Sequence, residues 1–435
     1  MTSPAPLEAS PTGLNWSGNV RYASTGVVQP PDLAGVQEAV AGAAAAGTRV
    51  RALGSRHSFS TVADTDGLHL STRGLGTRVE VDADGLAAVP SGATYAEVAA
   101  QLHAAGRALH NMGSLPHISV AGACATGTHG SGDGNGALAT AVRGLELVTA
   151  SGEVVRLDAD HPDLPGAAVS LGALGVVTRL WLATEPAYDV AQTVWTDVPA
   201  DALADEIEAV MGSGHSVSVF DDLRDPSVVS AVFVKQRVDG RADLAPVLAG
   251  RPSAAGPVHP VPGIDPAPAT EQGGVSGPWH ERLPHFRAEF VPSVGEELQT
   301  EYFVPRAAIR EARAALAEVA DQVAPVLMVH ELRTVAADEL WLSGAHGRDT
   351  VAIHFTWRPE PGPVGEAVRL LERVLAPYDP RAHWGKVAGG TVPRCDPAGA
   401  ARFAVLRDRL DPGRAFGNAF LDAELDSLAA AQSST

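Results

Sequence analysis

The sequence predicts an α+β fold with two domains, the second of which contains a large antiparallel sheet flanked by helices. The chain has 435 residues, which exceeds the roughly 250–300 residues at which a single hydrophobic core stops growing. Short apolar segments before about Pro186 give way to longer strands after it. These longer strands do not alternate strictly with helices, so an antiparallel sheet is favoured over a parallel one.

In the first part of the chain, turn and cap residues mark the ends of the predicted elements. Gly47 ends an alanine-rich helix, Thr94 is the expected N-cap of a second helix, and Gly106 ends that helix. No GxGxxG motif opens a helix, so the signature of a Rossmann domain is missing. The predicted elements are helices at 33–46 and 95–105, strands at 49–53, 78–82, 86–89 and 172–182, and a hairpin of 145–150 with 153–158.

Longer strands, rich in β-branched and aromatic residues, dominate residues 190–380. The stretch 245–279 is rich in proline and glycine and is predicted to be a long loop, which in most proteins is functional or mobile. The predicted elements are strands at 216–223, 228–238, 298–304, 326–335 and 349–357 and helices at 306–322, 364–375 and 397–410.

Composition excludes several classes of protein. The formal net charge of −19 disfavours binding to nucleic acid or to an anionic membrane surface. Two cysteines, Cys124 and Cys395, cannot form a disulfide framework and suit a reducing compartment. Residues 1–14 lack the features of a signal peptide, and no run of about 18 apolar residues occurs. We therefore expect a soluble, cytoplasmic protein without a membrane or nucleic-acid partner, and we expect a monomer.

Two segments rich in small residues are predicted to cradle a ligand. Residues 51–59 (RALGSRHSF) leave a short strand and enter a turn whose backbone N–H groups can bind anionic oxygens such as a pyrophosphate. Residues 119–130 (SVAGACATGTHG) carry so little side-chain bulk that a flat ligand can lie on the backbone. Together they indicate a dinucleotide cofactor, and His57 is a candidate tether for it. The alternative is a turn histidine that is hydrogen-bonded to the backbone.

Other polar residues are candidates for chemistry. Glu331 and Arg333 are two residues apart, as are His354 and Thr356, so on strands each pair points to one face. Polar groups inside apolar strands are costly unless they surround something polar, and the alternative is a buried ion pair beside a hydrogen-bonded histidine. Lys386, taken alone, is read more simply as a surface lysine after a turn.

A metal site is not expected. His117 and His129 lie in glycine- and serine-rich turns without carboxylates at ligand spacing.

The motifs GSRHSF (54–59), NMGSLPHISVAG (111–122) and ATGTHGSG (125–132) resemble the FAD-binding half of the vanillyl-alcohol-oxidase-type flavoproteins. Within this group the chain resembles the alditol oxidases. The resemblance continues through the second half of the sequence, in GPWHERLPHFRAEF (277–290), HELRTVAADELWLS (330–343), GRDTVAIHFTW (347–357) and HWGK (383–386).

The resemblance implies an FAD-binding domain over residues 11–187, completed by 386–430, and a substrate-binding domain over 188–385. It also implies FAD bonded covalently to His57 alone, because residues 111–116 hold no cysteine for a second tether. Arg56 departs from relatives that carry glycine there. The residues expected to contact FAD are Ala52, Leu53, Gly54, Ser55, Arg56, His57, Ser58, Ser114, Ser119, Gly122, Thr126, Gly127, Thr128, His129, Val177 and His383.

By the same resemblance, the protein oxidises the terminal primary alcohol of an alditol such as xylitol or sorbitol and passes two electrons to O2, which gives H2O2. The residues expected to bind the polyol are Ser114, Glu331, Arg333, Thr356 and Lys386, and those expected to act in catalysis are Lys386, His354 and Arg333. Either Lys386 or His354 accepts the hydroxyl proton. Gly113 is expected to leave space for O2 beside the flavin. A sugar-lactone oxidase, a flavin dehydrogenase and a binding module without turnover are the alternatives.

Overall fold

The computed structural model describes residues 13–290 and 296–432, with side chains as far as Leu425 in the last helix. Residues 11 and 12, which begin the expected FAD-binding domain, lie outside these ranges, as does most of the polar N-terminal segment. The described residues form two large sheets, one of five strands and one of eight, and two small ones. Among the described residues, no helix is long and apolar enough to cross a membrane.

The first part of the chain is built on the five-stranded sheet, whose strand order is β4-β5-β9-β7-β8 and whose pairs are all antiparallel. A parallel three-stranded sheet, β1-β3-β2, and a short pair, β10-β6, flank it. The strands are β1 Gly26–Val28, β2 Val50–Ala52, β3 Leu68–Leu70, β4 Glu80–Val81, β5 Leu86–Pro90, β6 Arg107–Ala108, β7 Val142–Val148, β8 Val154–Leu157, β9 Val176–Ala183 and β10 Glu185–Pro186.

Helices α1 Leu33–Ala45, α2 Tyr95–Ala104, α3 Val120–Ala125 and α4 Leu164–Ala168 pack around these sheets. The predicted cap of α2 is confirmed, since Thr94 and Glu97 form a reciprocal capping box. The end of the chain, with α12 Pro397–Leu410 and α13 Ala419–Gln432, packs on the same part. Phe416, for example, lies in one apolar cluster with Val36 and Val40. The exact domain boundaries stay a prediction.

The eight-stranded sheet has the strand order β14-β11-β13-β12-β16-β17-β15-β18, and every neighbouring pair is antiparallel. The predicted large antiparallel sheet is therefore confirmed. The strands are β11 Asp189–Pro199, β12 Ser216–Asp221, β13 Val228–Arg237, β14 Ser276–Pro278, β15 Leu298–Pro305, β16 Leu327–Val335, β17 Thr350–Trp357 and β18 Arg381–Ala382.

One face of this sheet carries an apolar core shared with helices, as in the contacts among Leu203, Leu316, Leu371 and Leu332. The opposite face carries polar residues and turns towards the first part of the chain. The helices of this part are α5 Ala200–Asp205, α6 Ile207–Met211, α7 Pro246–Ala249, α8 Trp279–Arg282, α9 Ile309–Ala317, α10 Ala320–Val323 and α11 Pro361–Leu375.

Several sequence predictions about elements were wrong or incomplete. The predicted long loop 245–279 contains α7 and β14. Strand β11 was not predicted, because Asp197 adopts a left-handed φ of 51° that interrupts the alternation of its side chains. The predicted helix 306–322 is broken into a 3-10 turn and two α-helices. The predicted strand 172–182 begins only at Val176, because Gly172 lies in a turn with φ 67°.

Candidate active site

A cavity of about 690 Å³ is lined by residues from both parts of the chain. It brings together the two small-residue segments, His57 and the polar residues of the eight-stranded sheet. Every residue expected to contact FAD or the polyol lines this cavity, except Gly127. Gly127 occupies the turn after α3 with φ 68°, so it shapes the segment without facing the cavity.

The two predicted cradles are joined by a pair of serines. The backbone N–H of Ser119 donates to Oγ of Ser55 at 3.0 Å, and the backbone N–H of Ser55 faces Oγ of Ser119 at 3.3 Å. The glycines beside them have no room for a side chain, because a Cβ on Gly54 or Gly122 would lie 2.4 or 2.7 Å from Oγ of Ser119. The backbones of the two segments, around Ser55 and Ser119, therefore lie side by side with few bulky side chains between them.

His57 lies in the cavity wall, with its ring stacked on Trp16 at a centroid distance of 5.2 Å. Its Nδ1 is buried and has no hydrogen-bond partner among the described residues. Burial lowers the pKa of His57 to about 3, so the ring is neutral near pH 7. The preceding residue, Arg56, adopts a left-handed φ of 61°, a conformation that glycine tolerates better.

These features fit FAD. A dinucleotide needs exposed backbone for its phosphates and a flat surface for its ring, and the paired segments around Ser55 and Ser119 offer both. Val177, on β9, lines the same cavity as these two segments. Buried polar atoms normally have a partner, so the unpaired Nδ1 of His57 is consistent with a group that binds at this position.

A row of polar residues crosses three adjacent strands on the cavity side of the eight-stranded sheet. His354, on β17, is directly opposite Glu331 on β16 and Glu301 on β15. Two residues further along β17, Thr356 is opposite Gln299. The predicted arrangement of Glu331, Arg333, His354 and Thr356 on one face is what the structure shows.

Glu301 was not predicted from the sequence, and three side chains converge on its carboxylate. His129 Nε2 lies 3.1 Å from its Oε1, Arg333 Nη2 donates to the same oxygen at 3.0 Å, and His354 Nδ1 lies 3.6 Å from Oε2. Burial raises the pKa of Glu301, but His129, His354 and Arg333 together hold it well below its usual range. Glu301 is therefore an ionised carboxylate at the centre of the site.

Arg333 lies between two carboxylates. Besides its bond to Glu301, its Nε is 3.4 Å from Oε2 of Glu331, and its Nη1 donates to Oγ of Ser114 at 3.4 Å. Burial raises the pKa of Glu331, but Arg333 and His285 outweigh it, so the pKa lies below its usual range. The guanidinium of Arg333 thus links Ser114, in the first part of the chain, to the eight-stranded sheet.

Lys386 follows the turn at His383 and points into the cavity, so it is not a surface lysine. Its Nζ donates to Oε1 of Gln299 and lies 5.1 Å from the centre of the Phe59 ring. Burial lowers the pKa of Lys386, opposed mainly by Glu301. Burial likewise lowers the pKa of His354, whose Nε2 lies 3.4 Å from Oγ1 of Thr356. The two candidate bases thus share one wall.

The histidines of the second small-residue segment have separate partners. His117 Nε2 lies 2.8 Å from the carbonyl oxygen of Ala288, and His129 is engaged by Gly130 and Glu301. Within residues 13–290 and 296–432, no group of three or more histidine, cysteine, aspartate or glutamate side chains is arranged to hold a metal ion.

Two further residues of the site, Gln299 and Glu301, interrupt an apolar strand in the sequence. Gln299 and Glu301 are two residues apart in an apolar strand, which is the same pattern that identified Glu331 and Arg333. His285 lies in the quoted motif 277–290 but was given no role. It donates from Nε2 to Oε1 of Glu331 at 3.1 Å.

Comparison with known proteins identifies the family. A family model described as an FAD binding domain matches residues 24–158, and one described as D-arabinono-1,4-lactone oxidase matches residues 296–424. An alditol oxidase from Streptomyces sp. is 47% identical over 95% of this chain and 98% of its own length. An L-gulono-1,4-lactone dehydrogenase from Mycobacterium tuberculosis is 32% identical over 94% of this chain and 98% of its own.

Solved structures agree on the fold. A cholesterol oxidase from B. sterolicum superposes with a TM-score of 0.73 at 16% identity and covers 95% of this chain and 96% of its own. A chitooligosaccharide oxidase superposes with a TM-score of 0.73 at 14% identity and covers 94% of this chain and 93% of its own. The predicted fold and the predicted FAD cofactor are confirmed, and the chain belongs to the alditol oxidase family of FAD-dependent oxidoreductases.

Proposed function

We propose that this protein oxidises the terminal primary alcohol of an alditol such as xylitol or sorbitol to the aldose, with reduction of O2 to H2O2. The observation that carries the proposal is the polar wall of Glu301, Glu331, Arg333 and Lys386 in the same cavity as His57. The relative from Streptomyces, an alditol oxidase, supports it over nearly the whole chain.

In this proposal Ser114, Glu331, Arg333 and Thr356 bind the hydroxyl groups of the polyol. Each hydroxyl is both a donor and an acceptor, so it can donate to the carboxylate of Glu331 and accept from the guanidinium of Arg333. Hydrogen bonds with a charged partner are about twice as strong as neutral ones, which suits a substrate without charge. Because Arg333 already contacts Ser114 and both carboxylates, the site is organised before substrate binds.

The hydroxyl proton is accepted by Lys386 or His354. Burial lowers the pKa of Lys386, which enlarges its neutral, proton-accepting fraction, and burial lowers the pKa of His354, which weakens it as a base. Arg333 then stabilises the negative charge that develops on the substrate oxygen.

FAD is held by the paired segments around Ser55 and Ser119 and is bonded to His57. When bound, FAD supplies the two-electron acceptor and the reaction with O2. Acid-precipitated protein should stay yellow, and tryptic mapping should place the mass of FAD on the peptide that contains His57. Colourless pellets with FAD in the supernatant would contradict the covalent bond. A His57→Ala variant should still bind FAD through the backbone but oxidise substrate more slowly.

The decisive assay is aerobic release of H2O2 across a panel of alditols, aldoses and aldonolactones. We expect xylitol and sorbitol to give the highest kcat/KM. A second candidate, oxidation of a sugar lactone by O2 or by another acceptor, is favoured by the match of residues 296–424 to a lactone oxidase model. A preference for an aldonolactone, or turnover with a dye but not with O2, would replace the first proposal by this one.

We further propose that the protein is monomeric and cytoplasmic. The support comes from its charge of −19 and its two cysteines, Cys124 and Cys395, both free and buried. Light scattering after gel filtration tests the first proposal, and cell fractionation of the source organism tests the second.

A further inference from the structure

The sequence contains two lysines among its 32 lysines and arginines. One is Lys386, which lines the cavity. The other, Lys235, lies near the end of β13, is 1% exposed and is outside the lining of the cavity. It is directly opposite Ser216 of β12, and Glu331 is opposite Phe220, four residues further along the same strand, so Lys235 and Glu331 face the same side of the sheet. Lysine side chains are almost never fully buried unless their amino group is paired with other polar groups.

Burial lowers the pKa of Lys235 to about 7, and the atoms around its amino group are hydrogen-bond acceptors. Its Nζ donates to the carbonyl oxygens of Leu283 and Pro284, the second at 3.2 Å, and lies 3.4 Å from Nδ1 of His285. An ammonium has three donors and no acceptor, so three acceptors satisfy it. All three belong to one segment, 283–285, which follows α8.

The contact with Lys235 fixes the tautomer of His285. Burial lowers the pKa of His285 to about 4, so its ring is neutral and has one donor and one acceptor. Lys235 occupies Nδ1 as a donor, which leaves the hydrogen on Nε2. That nitrogen donates to Oε1 of Glu331 at 3.1 Å. The orientation of a substrate-binding carboxylate thus depends on a lysine two hydrogen bonds away.

The same segment also holds Ser114. The backbone N–H groups of His285 and Phe286 both face the carbonyl oxygen of Ser114, at 3.1 and 3.3 Å. Lys235 therefore anchors a segment that touches two of the proposed polyol ligands, Ser114 by its backbone and Glu331 by a side chain.

A purely structural role is a poorer account of these contacts. Replacing buried charges by apolar side chains of similar volume is often neutral or stabilising, so packing alone does not require a lysine here. Arginine, the cation at all other basic positions except Lys386, has five donors in a planar fork and would leave several of them unpaired.

We propose that Lys235 is a positioning residue of the substrate site, which sets the tautomer of His285 and through it the orientation of Glu331. The inference rests on the proposed function, because Glu331 is taken to bind the polyol. Lys235 itself touches neither substrate nor cofactor in this arrangement.

The first test compares Lys235→Met with Val234→Ala in the holoenzyme. Methionine keeps the length of the side chain and removes the donor. We expect kcat/KM for the best alditol to fall about tenfold, mainly through KM, with the flavin absorption spectrum unchanged. Val234 lies on the opposite, helix-covered face of β13, so its truncation should lower the melting temperature and leave kcat/KM unchanged. Equal kcat/KM for Lys235→Met and wild type would overturn the proposal.

The second test does not depend on the stability of Lys235→Met. Glutamine at position 285 can still accept from Lys235 and donate to Glu331, whereas leucine can do neither. We expect His285→Gln to retain most of kcat/KM and His285→Leu to lose about tenfold. Equal losses in the two variants would show that shape, and not the hydrogen-bond direction, is what matters.

A double-mutant cycle then separates positioning from packing. If Lys235 acts through Glu331, then Lys235→Met should reduce kcat/KM much less in a Glu331→Gln background than in the wild type. Additive effects would contradict the proposal. If the wild type instead releases no H2O2 with any alditol, the proposed function itself has failed, which is a different result from a Lys235→Met variant that is as active as the wild type.

Discussion

Truncation of Arg333 to alanine is the sharpest test of the active site. Arg333 is 6% exposed and lies 3.0 Å from Glu301 and 3.4 Å from Glu331. The variant keeps both carboxylates and removes the cation between them. It also removes the bond from the guanidinium to Ser114, so the two parts of the chain lose a connection across the cavity.

The size of the effect follows from these distances. At 3.0 and 3.4 Å, Coulomb's law with an effective dielectric constant near 20 gives about 5 kcal/mol of gross attraction for each pair. Desolvation offsets much of this, and breaking a buried pair from one side typically costs about 3–5 kcal/mol of stability. For catalysis we expect a loss of about 2–4 kcal/mol in transition-state stabilisation, on the order of a hundredfold in kcat/KM.

The assay measures kcat/KM for xylitol and sorbitol together with the melting temperature of the holoenzyme. Arg310→Ala is the matched control, because Arg310 is an exposed arginine that donates to the carbonyl oxygens of Ala204 and Asp205 on α5. It should leave kcat/KM unchanged. If the Arg333→Ala variant has the kcat/KM of the wild type, Arg333 has no role in substrate binding and its ion pairs with Glu301 and Glu331 are structural only.

Three further outcomes are expected. Gly113→Val should slow reoxidation by O2 in stopped-flow experiments more than it slows anaerobic reduction by an alditol. A Cβ at this position would be 3.7 Å from both Ile118 and Thr128, so the fold can accept the side chain. Normal reoxidation in the variant would contradict the role of Gly113 in oxygen access. Arg56→Gly should raise the unfolding free energy by about 1 kcal/mol by relieving the left-handed φ of 61°, and a lower melting temperature would show that contacts of the arginine side chain outweigh the strain. Because burial lowers the pKa of Lys386, kcat/KM should increase as the pH rises through that pKa, below the ordinary value of 10.5. A Lys386→Met variant should lose this increase, and its persistence would assign the proton to His354 or to another group.

The sequence predicted the parts of the fold that depend on local patterns. The cap at Thr94, the strands around Glu331 and His354 and the antiparallel sheet all follow from periodicity and turn residues. Strand β11 could not be found in this way, because Asp197 breaks its alternation and only the pairing with β13 makes it a strand. Long-range pairing of this kind leaves no local signal.

The substrate side of the site was predicted where polar residues interrupt an apolar pattern. Glu331 and Arg333 do so as a pair, and Glu301 does so too, but its importance comes from three partners that are distant in the sequence, His129, Arg333 and His354. Lys235 is a cation near the end of an apolar strand, and nothing in the sequence shows that three acceptors of the segment 283–285 surround it. Motif resemblance supplied the cofactor, whereas the connections among the residues required coordinates.

The polar row across β15, β16 and β17 has a consequence for folding as well as for chemistry. Its neighbours along these strands, Leu332 and Ile353, belong to the apolar core under the helices. A slip of one residue between strands would exchange the two faces, placing carboxylates in that core and leucine in the cavity. Both changes are unfavourable, so the side chains proposed to bind the polyol also discriminate against misaligned sheets. Replacing Glu301 and Glu331 by apolar residues would therefore remove a constraint on strand pairing, and the enzyme would lose folding specificity along with its ligands.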